Sequence, residues 1–333
     1  MRDTKSERNP QGVIVMLDSW TSNSGDLSWE SFRALGSFVH YPRTQKAQVL
    51  ERCRDADIVL TNKVVLDAGI LAQLPHLKYI GVMATGYNVV DLEAAKRQGI
   101  VVTNVPAYST NSVAQMVFAL LLHHTQHVAF HDRKVHAGEW SACEDFSFRV
   151  APLLELAGKT LGIVGFGNIG QKVAAIAEQF GMHILVHTRT PERYPEPDGS
   201  DNGYEVLELD SLLSRSDIVT LHCPLNAETH HLINAATLKL MREDTILINT
   251  GRGDLLDENA VATALQEKRL GALLADVLSA EPPASDNPLL HAPNCVITPH
   301  IGWATRAARR RLLDTVCANI RAYQDGKLLN VVV

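Results

Sequence analysis

Three short segments of this chain each carry one residue of a type that does chemistry: Arg252 in ILINTGRGD (246–254), Glu281 in ADVLSAEPP (275–283) and His300 in ITPHIGW (297–303). An imidazole, with an unperturbed pKa of about 6.5, exchanges protons near neutrality. A nearby carboxylate favours its charged form. A guanidinium offers a planar donor fork that grips a carboxylate or polarises a carbonyl. Taken singly, each residue has an ordinary reading: Arg252 as a surface ion-pair partner, Glu281 as the start of a proline turn, His300 as a satisfied, half-buried histidine. Each, however, follows an apolar run that reads as a buried strand. Open α/β sheets bind ligands beyond the carboxyl ends of their strands, so the three side chains would converge on one crevice.

That crevice would lie beside the stretch LGIVGFGNIG (161–170). Leu161–Val164 read as a buried strand, and QKVAAIAEQFG after Gly170 has helical periodicity. GxGxxG between a strand and a helix suits a dinucleotide: Gly165 for the tight turn, Gly167 for approach to a pyrophosphate, Gly170 for close packing of helix on strand. The helix N-terminus adds free N–H groups and the positive end of its dipole. An NAD-type site wants an acid about 20 residues further on, for the ribose 2′-OH. Here the sequence runs His187, Thr188, Arg189, Thr190. Without a carboxylate, and with Arg189 able to pair with a 2′-phosphate, NAD(P) is expected with a lean toward NADP. The ordinary alternative is a solvated Arg189 and a site open to either cofactor.

The elements that must position these residues form a βαβα alternation, which implies parallel sheets covered by helices. Strands are expected at 13–17, 57–61, 78–83 and 100–105, and then six more at 161–164, 183–188, 217–221, 245–249, 272–276 and 295–298, the doubly wound count. ADIVLTN (56–62) and SDIVTLH (216–222) echo one another, as two similar α/β units would. Between the units a single long helix is expected from Ser112, its N-cap, through VAQMVFALLLHHTQHVAFHDRKVHAG, with Gly138 and Trp140 ending the arm. His123, His127 and His131 fall four apart within it, a spacing able to hold a metal. A polar helix face or subunit contact is the favoured reading, so no metal site is expected.

With 333 residues, the chain suggests about two domains. Thirty-one Lys and Arg against 37 Asp and Glu give a net charge of −6, which points away from nucleic acid and anionic membranes and toward small ligands. No apolar run reaches the roughly 18 residues of a membrane span. The polar start MRDTKSERNPQG is expected to be frayed and is not read as a secretory signal. Five scattered cysteines without a CxxC suggest reduced thiols and a cytoplasmic location.

The sequence resembles the D-isomer-specific 2-hydroxyacid dehydrogenases from about Asp57 to Val333. The resemblance is carried by GFGNIG, SDIVTLHCPLNAETHHLI (216–233), INTGRGDLLDENA (248–260), ADVLSAEPP and TPHIGWAT, in that order. MATGYNVVD (83–91), SAEPPASDNPLL and HIGWATRAARRRLLD (300–314) are most similar to the glycerate dehydrogenase, or hydroxypyruvate reductase, branch. The resemblance implies two doubly wound α/β domains: a Rossmann-like cofactor domain over 108–303 and a flavodoxin-like, discontinuous substrate domain over 1–107 and 304–333. Residues past about Thr305 would then pack with the N-terminal unit, and LLNVVV (328–333) would dock there.

By the same resemblance His300 is the proton donor and acceptor, Glu281 keeps its ring oriented and cationic, and Arg252 anchors the substrate. Thr85 and Gly86 would hold the substrate carboxylate, with Lys63 adding charge. Asn168 and Ile169 would sit under the pyrophosphate, Cys223 and Pro224 beside the adenosine half, and Thr250 and Asp276 near the nicotinamide, with His300 and Gly302 closing the pocket. Thr188 departs from the family's usual acid. Reduction of a small 2-keto acid such as hydroxypyruvate or glyoxylate to the D-2-hydroxy acid is the expected reaction, in a homodimer. The alternatives are a non-catalytic nucleotide sensor on the same fold, or a relative acting on another 2-keto acid or phosphite. Trp303, directly after the histidine turn, either lines the pocket or is a structural core residue.

Overall fold

A computed structural model describes residues 12–194 and 203–333; the expected fraying of the first eleven residues lies outside them. The chain divides into two compact units, one made of Met1–Ser109 with Trp303–Val333, the other of Thr110–Gly302.

The first unit holds five parallel strands: β1 (Val13–Met16), β2 (Ser37–His40), β3 (Ile58–Thr61), β4 (Tyr79–Val82) and β5 (Val101–Thr103). Their order is β2-β1-β3-β4-β5, the flavodoxin-like arrangement. Alternate side chains go to opposite faces. Val15, Val59, Ile80 and Val102 pack in one cluster with Leu71 and Ala94. Ile14, Met16, Leu60 and Tyr79 pack in another with Ala308, Leu312, Val316 and Ile320 of the helix Arg306–Gln324. A parallel sheet is covered on both faces in this way. That helix begins at Thr305, whose hydroxyl accepts from the Ala308 N–H. The end of the chain docks on β5: Val331 bridges Thr103 antiparallel, and the Val102 N–H donates to the Val333 carbonyl at 2.8 Å.

The second unit holds β6 (Thr160–Val164), β7 (His183–His187), β8 (Tyr204–Val206), β9 (Ile218–Leu221), β10 (Ile246–Asn249), β11 (Ala272–Ala275) and β12 (Cys295–Ile297). All pair in parallel, in the order β12-β11-β10-β9-β6-β7-β8. Counted from β6 this is the dinucleotide-binding order, 3-2-1-4-5-6, with a seventh strand added at one edge. Leu161, Ile163, Val186 and Ile248 pack against the helices Thr110–Gln126 and Asn168–Gln179, and Val164, Val219, Leu221 and Leu247 face Leu212, Val261 and Leu265. The two echoing segments land on equivalent strands: β3 beside β1, and β9 beside β6.

Three expectations need correction. The sheet of the second unit has seven strands rather than six, because β8, a three-residue and only half-buried edge strand, carries no continuous apolar run. β2 is likewise an addition to the expected strands, since Ser37 and His40 flank only two apolar residues. The long arm is two helices, Thr110–Gln126 and Val128–His136, separated at His127, which adopts φ 49°. Ser112 is therefore not its cap but a buried residue inside the first turn. The break also means that His123, His127 and His131 do not lie along one continuous helix face. Trp303 is half-buried and packs against the core of the first unit, edge-on to Tyr108 at 6.4 Å.

Candidate active site

The glycine turn is built as the motif requires. β6 ends at Val164, and Gly165 takes φ +96°, where a side chain is disfavoured. A Cβ there would also strike the backbone of His222 and Cys223, at the exit of β9, and a Cβ on Gly170 would strike the Gly165 carbonyl. Gly167 differs: nothing lies within 4 Å of the place its Cβ would take. It caps the helix Asn168–Gln179 with no side-chain hydrogen bond, so that helix start keeps its N–H groups available. Ile169 is half-buried and Asn168 exposed. Thr188 and Arg189 follow β7; Arg189 is exposed and reaches Glu228 at 3.4 Å. Burial pushes the Cys223 thiol up to about 11 and the His222 imidazole down to about 3. The His222 ring pairs with the Thr220 hydroxyl at 3.0 Å. Pro224, next in the chain, is exposed.

Three neighbouring strands deliver the reactive side chains. β12 leads to His300, β11 to Asp276 and Glu281, and β10 to Thr250 and Arg252. His300 Nδ1 lies 2.6 Å from Glu281 Oε2, with 25% and 31% of the two side chains exposed. Because a carboxylate only accepts, Nδ1 carries the hydrogen, and Nε2 is left for another partner. His300 sits at φ 52°, uncommon for a residue with a side chain. Its N–H donates to the carbonyls of Asp276 and Thr298 at 2.8 and 2.9 Å.

The Asp276 carboxylate holds that turn. It is 2% exposed and accepts from Thr298 Oγ1 (2.6 Å), the Ile301 N–H (2.9 Å) and the Gly302 N–H (2.7 Å). The positioning work of Asp276 was not foreseen, since a side chain bonded to a distant main chain leaves no spacing to read. Glu281 Oε1 accepts from the Leu278 N–H at 3.3 Å, and Glu258 Oε1 accepts from Ser279 N–H at 2.7 Å, so two acids shape the 278–281 loop.

Arg252 reaches the same group of loops through its backbone. A Cβ on the next residue, Gly253, would collide with the backbone of Leu278 and Ser279, so the Arg252 turn lies directly on the loop that carries Glu281. The Arg252 carbonyl accepts from the Asn249 side-chain amide at 2.9 Å, and its guanidinium donates to its neighbour's Gly251 carbonyl at 2.8 Å. Thr250 Oγ1 is buried without a hydrogen-bond partner among the described residues. An open glycine, a helix start with available N–H groups and an orphaned hydroxyl at a strand end fit a nicotinamide dinucleotide.

The remaining candidates belong to the first unit. Asp18 takes hydrogen bonds from the N–H groups of Asn62, Lys63 and Val64, at 2.6 Å for Lys63, so the turn after β3 is fixed while Lys63 stays exposed. Thr85, after β4, donates its hydroxyl to the Val105 carbonyl at 3.0 Å, and Gly86 is half-buried.

A seven-stranded dinucleotide-binding sheet with an imidazole–carboxylate pair and an arginine at its carboxyl edge defines a nicotinamide-dependent oxidoreductase. Residues 118–302 match the family model described as D-isomer specific 2-hydroxyacid dehydrogenase, NAD binding domain. The chain is 42% identical to a hydroxypyruvate reductase of Blautia hydrogenotrophica over 96% of its length and 99% of that protein. It is 39% identical to a glycerate dehydrogenase of Methylorubrum extorquens, over 96% and 98%. Among solved structures, the NADPH-dependent glyoxylate/hydroxypyruvate reductase of Sinorhizobium meliloti, in complex with NADP and malonate, aligns with TM-score 0.80 at 28% identity over 97% of both chains. The chain belongs to the D-isomer specific 2-hydroxyacid dehydrogenase family. It is an enzyme of that family, and the nucleotide-sensor alternative is not favoured.

Proposed function

We propose that this chain reduces hydroxypyruvate to D-glycerate, accepts glyoxylate as a smaller substrate, and runs the reverse reaction when the hydroxy acid is in excess. The observation that carries the reading is the 2.6 Å His300–Glu281 pair on the Asp276-held turn, in the same unit as the glycine turn. Glu281 holds Nδ1, so the proton for the keto oxygen leaves from His300 Nε2. Arg252 presents its donor fork to the substrate carboxylate or carbonyl. To Thr85, Gly86 and Lys63 we assign contact with the substrate carboxylate. Gly167, Asn168 and Ile169 hold the pyrophosphate, on a turn made by Gly165 and a helix brought close by Gly170; Cys223 and Pro224 border the adenosine, and Thr250 and Gly302 border the nicotinamide, whose reduced form supplies the hydride. Asp276 acts there through the His300 turn.

The residues at the end of β7 support a preference for NADPH. Thr188 offers no carboxylate to a ribose 2′-OH, and the exposed Arg189 pairs with Glu228 at 3.4 Å, a weak surface pair that a phosphate can displace. A cytoplasmic homodimer is the state we assign. Five free thiols and the exposed apolar side chains of Val128, Phe130, Trp140 and Phe146 support it. No helix among the described residues is long and apolar enough to cross a membrane.

The test is spectrophotometric. Purified chain is assayed for oxidation of NADH and of NADPH with hydroxypyruvate, glyoxylate and pyruvate, and for the reverse reaction with D- and L-glycerate. Turnover with hydroxypyruvate and D-glycerate but not L-glycerate is expected. Activity confined to pyruvate, or to the L-acid, overturns the reading, and light scattering in solution checks the dimer.

A further inference from the structure

Away from the His300–Glu281 pair, two loops of the second unit bring three metal-binding side chains together. His230 and His231 end the turn after β9, and Asp254 lies in the short 3₁₀ turn Gly253–Leu255. One ligand atom from each lies within 4.8 Å of the others. We infer that His230, His231 and Asp254 form a surface site for a late first-row divalent cation, Zn²⁺ or Ni²⁺, distinct from the dehydrogenase chemistry.

The backbone shows why these donors stay together. His231 takes φ 51°, in the left-handed region, and its ring stacks against that of His230 with centroids 3.9 Å apart. Two successive residues of extended chain would point to opposite sides; this conformation puts both imidazoles on one side. The His231 N–H donates to the Asp254 carbonyl at 2.8 Å, and Ile233 and Leu256 form a parallel bridge just beyond, so the two loops are zipped. Upstream, Asn226 Oδ1 accepts from the Thr229 N–H at 3.0 Å, and Thr229 Oγ1 donates to the Pro224 carbonyl at 2.7 Å, which fixes the turn leading to His230.

Two imidazoles and one carboxylate are the donor set that suits zinc, nickel and their neighbours rather than magnesium or calcium, which prefer oxygen. Metal–ligand bonds of about 2.0–2.2 Å require the donors to draw closer than they lie here. The two histidines are exposed and can rotate to do so. Exposure also leaves room for water as the remaining ligands. Asp254 is two residues past Arg252, so a bound cation would clamp the turn that presents the substrate anchor.

The test titrates metal-stripped full-length protein with ZnCl₂ and, separately, NiCl₂ by calorimetry at pH 7.5 and pH 5. Parallel titrations use His231→Gln and Asp254→Asn, each checked for native circular dichroism. Saturable one-to-one binding is expected, weakened at least tenfold by either substitution and by the shift to pH 5, where protons compete for the imidazoles. The KM for hydroxypyruvate should change at least twofold on metal loading in the unsubstituted protein and not in the variants. Absence of binding, or binding that both variants retain at full strength, overturns the site. Binding with an unchanged KM overturns the clamp on Arg252. Because calorimetry needs no turnover, failure of the metal site is separable from failure of the proposed reaction.

Discussion

Replacing Asp276 by Asn should loosen the turn that presents His300, and the structure sets the size of the effect. Asp276 accepts three hydrogen bonds, two on Oδ1 and one on Oδ2, at 2.6–2.9 Å, in a site 2% exposed. The amide oxygen of Asn can keep the two on one side. On the other, its NH₂ faces the Gly302 N–H, donor against donor. One hydrogen bond to a charged group, typically worth about 1.5–3 kcal/mol, is lost, and a buried N–H is left without an acceptor. A net cost of about 2–3 kcal/mol follows, or about 4–12 °C in the melting temperature of a unit this size. Since the turn also carries the imidazole, a displacement of about 1 Å would cost turnover on the order of 100-fold. Thermal unfolding by circular dichroism and steady-state kcat read the two effects. If Asp276 met the cofactor directly instead, KM for the cofactor would rise with the melting temperature unmoved. A melting temperature within 1–2 °C of the parent, with kcat within about twofold, would refute the positioning argument.

Four other substitutions test the groups around the site. His300→Ala should lower kcat for hydroxypyruvate reduction by about two to four orders of magnitude, the usual worth of a positioned acid, while Glu281→Gln, which keeps a hydrogen bond but not the charge, should cost about 10-fold; equal and small losses would remove the pair from the chemistry. Arg189→Ala should raise KM for NADPH about tenfold and leave KM for NADH within about twofold, since one charge-assisted contact to a phosphate is worth about 1.5 kcal/mol or more; a parallel change in both would show that Arg189 does not read the 2′-phosphate. His222→Gln should flatten the acid limb of stability. The unfolded imidazole takes a proton near 6.5 and the folded one only near 3, so the unfolded state binds more protons between those values and stability falls as pH drops through that window, by on the order of 1 kcal/mol per pH unit at most. Denaturant midpoints at pH 7 and pH 4.5 measure this, and an acid limb as steep in the variant as in the parent would assign it to other groups.

How much of this was legible depended on whether a feature left a local trace. The glycine turn did: a buried strand, Gly165 and Gly170 where a side chain would collide, and a helix follow one another without a gap. Glu281 and His300 were readable because each follows an unbroken apolar run, Ala272–Ala275 in β11 and Cys295–Ile297 in β12. The edge strands β2 and β8 were not, since Ser37 and His40 leave β2 only two adjacent apolar residues and Glu205 interrupts β8. The break at His127 was hidden because apolar and polar residues keep a helical period through it. Asp276 was placed near the nicotinamide by resemblance, but its carboxylate is occupied by residues 22 to 26 positions further on, a relation that only the folded chain displays.

The division of the first unit into two stretches of sequence has a consequence for how the protein is made. Its sheet has one face covered by Arg306–Gln324, with Val331 and Val333 paired to β5. On the ribosome, which releases the chain N-terminus first, β1 to β5 must therefore wait, with an uncovered apolar face, while the entire Thr110–Gly302 unit is synthesised and free to fold. Any slowing of synthesis between β5 and Arg306 would prolong that exposure, so an excess of truncated chains ending before Arg306 should be the aggregating species during expression.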